Sequence, residues 1–301
     1  MSLSLCFPTP LPDETIYSLF CRYHVRSCNV SDNTTIHQLF NKKRSMQTTV
    51  FSAFPLKHAR HLEESFYGIS IESLLQKNTA MPFYRVFKPR TNTSCHSYAS
   101  DRFLMAMYNN CCTFTKKLRY CPKCAEAQWE TFGVSYWQIL PQINGYEICH
   151  IHKEPIRETT ISHSDVRYRF FPASSIILDN DNSSEDTHRL STIKNHWNQF
   201  LQMAEDINFI FRFSYPGFLI SERVRNILAH DLVPINHRWQ NCIWDDPVLF
   251  QCLYMENEDI LDEIYEDTYS LISYFQYLPV CLQIRLCYQM FGSVRKVCTL
   301  R

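Results

Sequence analysis

The chain has 301 residues, enough for one large domain or two ordinary ones, and its 45% apolar and 20% charged content is that of a soluble globular protein. Only five glycines occur, with no G-x-x-x-x-G-K or G-x-G-x-x-G run, which excludes a glycine-rich phosphate cradle. Formal net charge is zero but uneven: residues 1–157 carry 18 Lys and Arg against 11 Asp and Glu, and residues 158–301 carry 12 against 19. The basic half is suited to phosphate and the acidic half is not.

Taken in order, Pro8, Pro10 and Pro12 make the first residues an extended arm, and Asp13 is placed to cap the helix that follows. Ile16, Leu19, Phe20 and Tyr23 form one apolar stripe of that helix. A second short helix is predicted over 34–40, followed by the basic run Lys42, Lys43, Arg44. Two short helices ahead of a basic run suggest a helix-turn-helix. Further helices are predicted over 56–64, 71–76 and 101–109. Lys116, Lys117 and Arg119 then lead into a cysteine-rich stretch.

That stretch carries the strongest chemical signal. Cys121-Pro-Lys-Cys124 and Cys149-His-Ile-His152 are two knuckles with two residues inside each, separated by residues 125–148. Two intervening residues let one tight turn aim both ligands at one ion. Three thiolates and an imidazole suit Zn²⁺ in a closed four-coordinate structural site. His152 fits the second knuckle by spacing, while His150, adjacent to Cys149, is read as a surface or supporting residue. A closed site leaves no position for water. Glu126, Glu130 and Glu147 flank the knuckles without an H-x-x-x-H or clustered acidic set, so metal-dependent hydrolysis is not indicated. Residues 125–130 read as a turn or two of helix. The alternation of Phe132, Val134 and Tyr136, the Asn144-Gly145 turn, and Tyr146 and Ile148 read as a β-hairpin delivering Cys149 to the ion.

The acidic stretch 179–186 reads as a linker. Beyond it, helices are predicted over 188–207 and from Ser221 to 229, with an acidic surface helix over 255–267. The apolar stretch 271–291 is interrupted by Pro279 and Arg285 and reads as buried helix, not a membrane span. The first residues lack a basic, apolar leader pattern, so the expected location is the cytoplasm, with the remaining cysteines reduced and acting as small buried apolar groups. The expected fold is mainly α: a helical domain over 1–172 with an embedded zinc ribbon over 118–156, followed by a helical domain over 187–301.

These residues resemble a known family. Leu11-Pro-Asp-Glu-Thr-Ile-Tyr-Ser-Leu-Phe-Cys-Arg-Tyr23 is similar to the start of TniQ/TnsD proteins, the target-selection subunits of TnsABC-type transposons. Arg60-His-Leu, Leu74-Leu75, Asn78-Thr, Pro82-Phe-Tyr and Phe87 resemble the segment before the zinc site in the TnsD branch. The most specific match runs through Arg119-Tyr-Cys-Pro-Lys-Cys124, Phe132-Gly133, Tyr136-Trp-Gln138, Pro141 and Cys149-His-Ile-His-Lys-Glu-Pro-Ile156. Carried over by position, the resemblance makes Cys121, Cys124, Cys149 and His152 the zinc ligands. Two departures stand out: Lys153 replaces the usual glycine after the last ligand, and no second cysteine cluster follows.

The resemblance implies a non-enzymatic matchmaker. It would link target DNA, or a CRISPR guide-RNA effector complex already on DNA, to an AAA+ ATPase regulator of the TnsC type, and through it to the transposase. Direct reading of an attachment site is the alternative mode, and a zinc-ribbon interaction protein outside transposition is a third reading. Lys42, Lys43, Arg44, Lys116, Lys117 and Arg119 are the candidate phosphate contacts. A homodimer is compatible with a helical adaptor.

Overall fold

The structure, a computed structural model, describes residues 7–40, 71–80, 82–83, 115, 117–143, 145–162, 164–174 and 187–212. The helices predicted over 56–64, 101–109, from Ser221 to 229, over 255–267 and within 271–291 lie outside the described residues, as do Lys42, Lys43, Arg44 and Lys116. The chain divides into two compact units. One comprises Met1–Met81, Ser94–Asn110 and Phe114–Glu185; the other comprises Pro82–Thr93, Cys111–Thr113 and Asp186–Arg301.

In the first unit, the described elements are helices α1 (Ile16–Ser27), α2 (Asp32–Phe40) and α3 (Ile71–Lys77), strand β1 (Lys117–Tyr120), helix α4 (Pro122–Phe132) and strand β2 (Arg157–Ser162). The predicted stripe of α1 is buried, together with Tyr17, Ser18 and Cys21. Thr15, not Asp13, caps this helix: its backbone is extended and its Oγ1 accepts the Ser18 N–H at 3.1 Å. Asp13 instead has φ +56° and sits in the turn where the Glu14 N–H reaches the Leu11 carbonyl at 3.2 Å. Phe20 meets Phe40 edge-on at 5.4 Å, and Tyr23 donates to Gln38 Oε1 at 3.1 Å, so both rings join α1 to α2. Cys21 is buried, whereas Cys28, which ends α1 with φ +52°, is exposed and does not follow the expectation for the remaining cysteines.

A junction around Trp137 ties α1 to the cysteine-rich stretch. The Trp137 carbonyl accepts the Thr15 N–H at 2.9 Å, its own N–H reaches Ser18 Oγ at 3.1 Å, and Nε1 donates to the Phe171 carbonyl at 2.7 Å. Ile139 N–H bonds to the Asp13 carbonyl at 3.0 Å, making a short antiparallel bridge between Glu14 and Gln138. Asn78, beyond α3, donates to the Glu14 carbonyl at 2.7 Å and accepts the Ile16 N–H at 2.9 Å. Glu14 is fully buried, and its Oε2 takes Arg22 Nη1 at 2.7 Å and the Leu11 N–H at 2.9 Å. Burial raises its carboxyl pKa, while Arg22 and the Leu11 amide pull the other way. The acidic and hydroxyl residues of the opening motif therefore act as fasteners of the fold.

The predicted hairpin over residues 132–148 does not form. Pro122 occupies the first turn of α4, where its missing N–H costs nothing, and Cys124, Ala125 and Gln128 face the core, so the helix continues to Phe132. Gly133, with φ +68°, ends it in the left-handed conformation. The extended residues that follow bond back to α4 through Gln128 Oε1 (to Tyr136 N–H, 2.9 Å) and Ser135 Oγ (to the Ala125 carbonyl, 3.0 Å). A single 3-10 turn follows over Leu140–Gln142. The two-stranded antiparallel sheet is built from the flanks of the knuckles: β1 pairs with β2, placing Arg119 opposite Glu158 and Tyr120 opposite Arg157. A register shift separates Lys117 from Arg119, and Thr159 Oγ1 donates to the Leu118 carbonyl there at 3.0 Å.

In the second unit, the predicted helix over 188–207 is two helices, α5 (Thr187–Asn195) and α6 (Trp197–Arg212), separated at His196. Phe200, Met203, Ala204, Ile207, Ile210 and Phe211 are the buried apolar residues of α6, at helical spacing. No helix among the described residues is long and apolar enough to cross a membrane.

Candidate metal centre

β1 delivers Cys121 to the start of α4. The Cys121 carbonyl accepts the Ala125 N–H at 3.0 Å, so Cys124 projects from the first helical turn. The second knuckle is the tip of a narrow antiparallel ladder: Ile156 N–H to Glu147 carbonyl at 2.9 Å, Cys149 N–H to Glu154 carbonyl at 2.8 Å, and an Ile148–Pro155 bridge. Lys153 N–H closes the turn onto the Cys149 carbonyl at 2.8 Å. Lys153 itself has φ +52°, the left-handed region in which glycine is unstrained.

These turns bring four ligand atoms together. His152 Nδ1 lies 3.6 Å from Cys121 Sγ, 3.3 Å from Cys124 Sγ and 3.6 Å from Cys149 Sγ, and the Cys124 and Cys149 sulfurs are 3.7 Å apart. All four lie within 4.8 Å of one another. Bond lengths of about 2.3 Å to sulfur and about 2.0 Å to nitrogen imply tetrahedral edges of roughly 3.5–3.8 Å, which the 3.6 and 3.7 Å separations match, with Cys124 and His152 somewhat closer. The three cysteines are buried and His152 is half-buried. The group can hold one metal ion.

His150 lies elsewhere. Its Nδ1 is 2.5 Å from Tyr146 Oη, and its backbone N–H reaches the same oxygen at 3.2 Å. Hydrogen bonding to Cys121 and Cys149, with burial, drives the Cys124 pKa up. Hydrogen bonds from Cys121 and Cys124, and from the His152 and Ile151 amides, drive that of Cys149 down. A divalent cation bound here would take the place of the thiol protons, because cysteine ligates as the thiolate. The N-terminus of α4 adds its partial positive charge beside Cys121 and Cys124.

Behind the ligands runs a charged strut. Arg119 side chain is 1% exposed; Nη2 donates to Glu147 Oε2 at 2.8 Å and to the Tyr146 carbonyl at 2.9 Å, and Nε lies 3.7 Å from Glu158 Oε1. Gln142 supplies the outer backbone partner of β1, accepting the Arg119 N–H at 3.2 Å and donating to the Arg119 carbonyl at 2.7 Å. The expectation that Arg119 contacts phosphate is therefore corrected: its guanidinium is enclosed and joins the approach of the first knuckle to that of the second. Lys117 is half-buried on β1. Glu147, read from sequence only as a carboxylate flanking the knuckles, is the partner that explains Arg119; no local pattern announces this pairing between residues so far apart in the chain.

The TniQ family model matches residues 5–156. The chain belongs to the TniQ family. The match takes in α1, α2, α3, Trp137 with its partners Thr15 and Ser18, and all four cluster residues. The family serves transposition targeting without a catalytic step of its own. The chain is also similar to "Transposon Tn7 transposition protein TnsD" of Escherichia coli, 25% identical over 139 residues, which cover 44% of this chain. That stretch spans 27% of the length of the Escherichia coli protein.

Proposed function

We propose that this chain is a target-selection factor for DNA transposition that couples a marked target to an AAA+ regulator and, through it, to the transposase. The observation that carries the reading is the TniQ match over 5–156, whose residues build both the junction and the cluster. The likeness to a transposition protein named TnsD points the same way. In this reading Cys121, Cys124, Cys149 and His152 hold one structural Zn²⁺: three sulfurs and one imidazole nitrogen within 4.8 Å of one another are the donor set of a structural zinc site. The ion supplies folding energy and leaves the chemistry of strand transfer to partners.

Two modes of finding the target divide this reading. As an adaptor, the chain docks on a CRISPR guide-RNA effector complex. As a direct reader, it binds attachment-site DNA through α1 and α2 as a helix-turn-helix, with Lys42, Lys43, Arg44, Lys116 and Lys117 on phosphates. The zero net charge favours the adaptor mode. The test is co-purification of the full chain with the AAA+ regulator of its own transposon, in the presence of bare duplex or of a guide-RNA complex. Capture of the regulator supports target selection. Retention with the guide-RNA complex selects the adaptor mode, and duplex binding with a steep log–log salt slope selects direct reading. Absence of both the regulator and any target leaves the zinc-ribbon interaction protein as the better reading.

A further inference from the structure

Helix α4 holds the cluster with one face and offers another to solvent. Cys124, Ala125 and Gln128 are buried. On the outer side Trp129 is 50% exposed and Phe132 43% exposed, an unusual load of aromatic surface for three turns of helix. Glu126 and Glu130, one turn apart, flank the indole and are exposed. Lys123, the cation of the same helix, is already held by Glu154 at 2.5 Å. The ridge is therefore anionic and aromatic within the basic half of the sequence.

We propose that this ridge of α4 is a docking surface for a protein partner that presents an Arg or Lys side chain between apolar ones. An exposed indole beside two carboxylates attracts a cation twice over, through the ring face and through charge. The same carboxylates repel phosphate, so nucleic acid is the wrong chemistry for this face. Tryptophan is also the side chain most often found at the energetic centre of an interface. The helix is a suitable platform because the cluster fixes its first turn and Gly133 its end. The identity of the partner as a transposition protein rests on the proposed function; the chemistry of the surface does not.

The experiment uses the full, metal-loaded chain and three fluorescent probes: an amphipathic Arg/Leu peptide, its Glu/Leu counterpart, and a 30-base-pair duplex. Each is titrated by fluorescence anisotropy against the wild type, W129A, and the double charge reversal E126K/E130K. Metal content and thermal unfolding of the exposed-site variants serve as fold controls. The expected result is binding of the Arg/Leu peptide that weakens about tenfold or more in both variants, with no binding of the Glu/Leu peptide. Equal affinity of wild type and variants for the Arg/Leu peptide, or no binding at all, overturns the proposal. Duplex binding lost in W129A also overturns it, in favour of a nucleic-acid surface. A positive peptide result with a chain that captures neither the regulator nor any target leaves the ridge standing and removes the transposition reading.

Discussion

The Cys3His cluster and the Trp137 junction lie within the same unit but are held in different ways. At the junction the fastenings are made by the polypeptide itself: Thr15, Ser18, Asn78 and the Phe171 carbonyl satisfy groups that burial would otherwise leave unpaired. At the cluster, three thiols and an imidazole bring their ligand atoms within 4.8 Å of one another, and in the proposed reading a bound metal ion holds them there. The contrast teaches that the junction is held by the chain's own hydrogen bonds and packing, whereas under the proposed function the cluster is held by a bound metal.

Removing ligation gives the largest effect. Structural zinc in small sites is worth on the order of 10–16 kcal/mol. A strong chelator, or Cys124→Ser, is expected to release the metal and to abolish amide protection over residues 117–162 in hydrogen exchange. Persistent protection there after complete metal removal would place the cluster in the same class as the junction. Trp137→Ala attacks the other region. It removes a fully buried indole and its hydrogen bond to the Phe171 carbonyl, at a cost of about 3–5 kcal/mol. Urea unfolding should show that loss while one metal per folded chain is retained; loss of metal from the native variant would merge the two regions.

Arg119 sharpens the boundary between them. Arg119→Ala leaves Glu147 enclosed without its cation, and because Glu158 on the other side is about a third exposed, the expected cost is about 2–3 kcal/mol, below the roughly 3–5 for a fully buried pair. Adding Glu147→Ala should recover part of it in a double-mutant cycle; strict additivity would show that the strut carries no coupling. The smallest effect is expected at Lys153. A non-glycine residue in the left-handed region costs about 1 kcal/mol, so Lys153→Gly should raise stability by about that amount and tighten the second knuckle. Destabilisation would mean that the lysine side chain outweighs the backbone strain.

What the sequence made legible was local. The four ligands could be read because each knuckle closes within two intervening residues, and α1 could be read because its stripe repeats along one helix. The hairpin expected over 132–148 failed because alternation at Phe132, Val134 and Tyr136 is produced equally by a helix end and by an extended segment whose partner is distant. That partner is the stretch from Asp13 to Thr15. The same long-range pairing explains why Asp13 lost the cap to Thr15: its carbonyl is committed to Ile139. Arg119 read as a surface cation because it follows Lys116 and Lys117. Only Glu147 and Glu158, 28 and 39 positions away, reveal it as an internal strut.

X-ray absorption at the zinc edge, on protein purified without added metal and quantified for metal content, is the most direct test of the cluster. The account predicts one zinc per chain with three sulfur neighbours at about 2.3 Å and one nitrogen at about 2.0 Å. A well-folded chain with no zinc, or an ion surrounded mainly by oxygen, would contradict it.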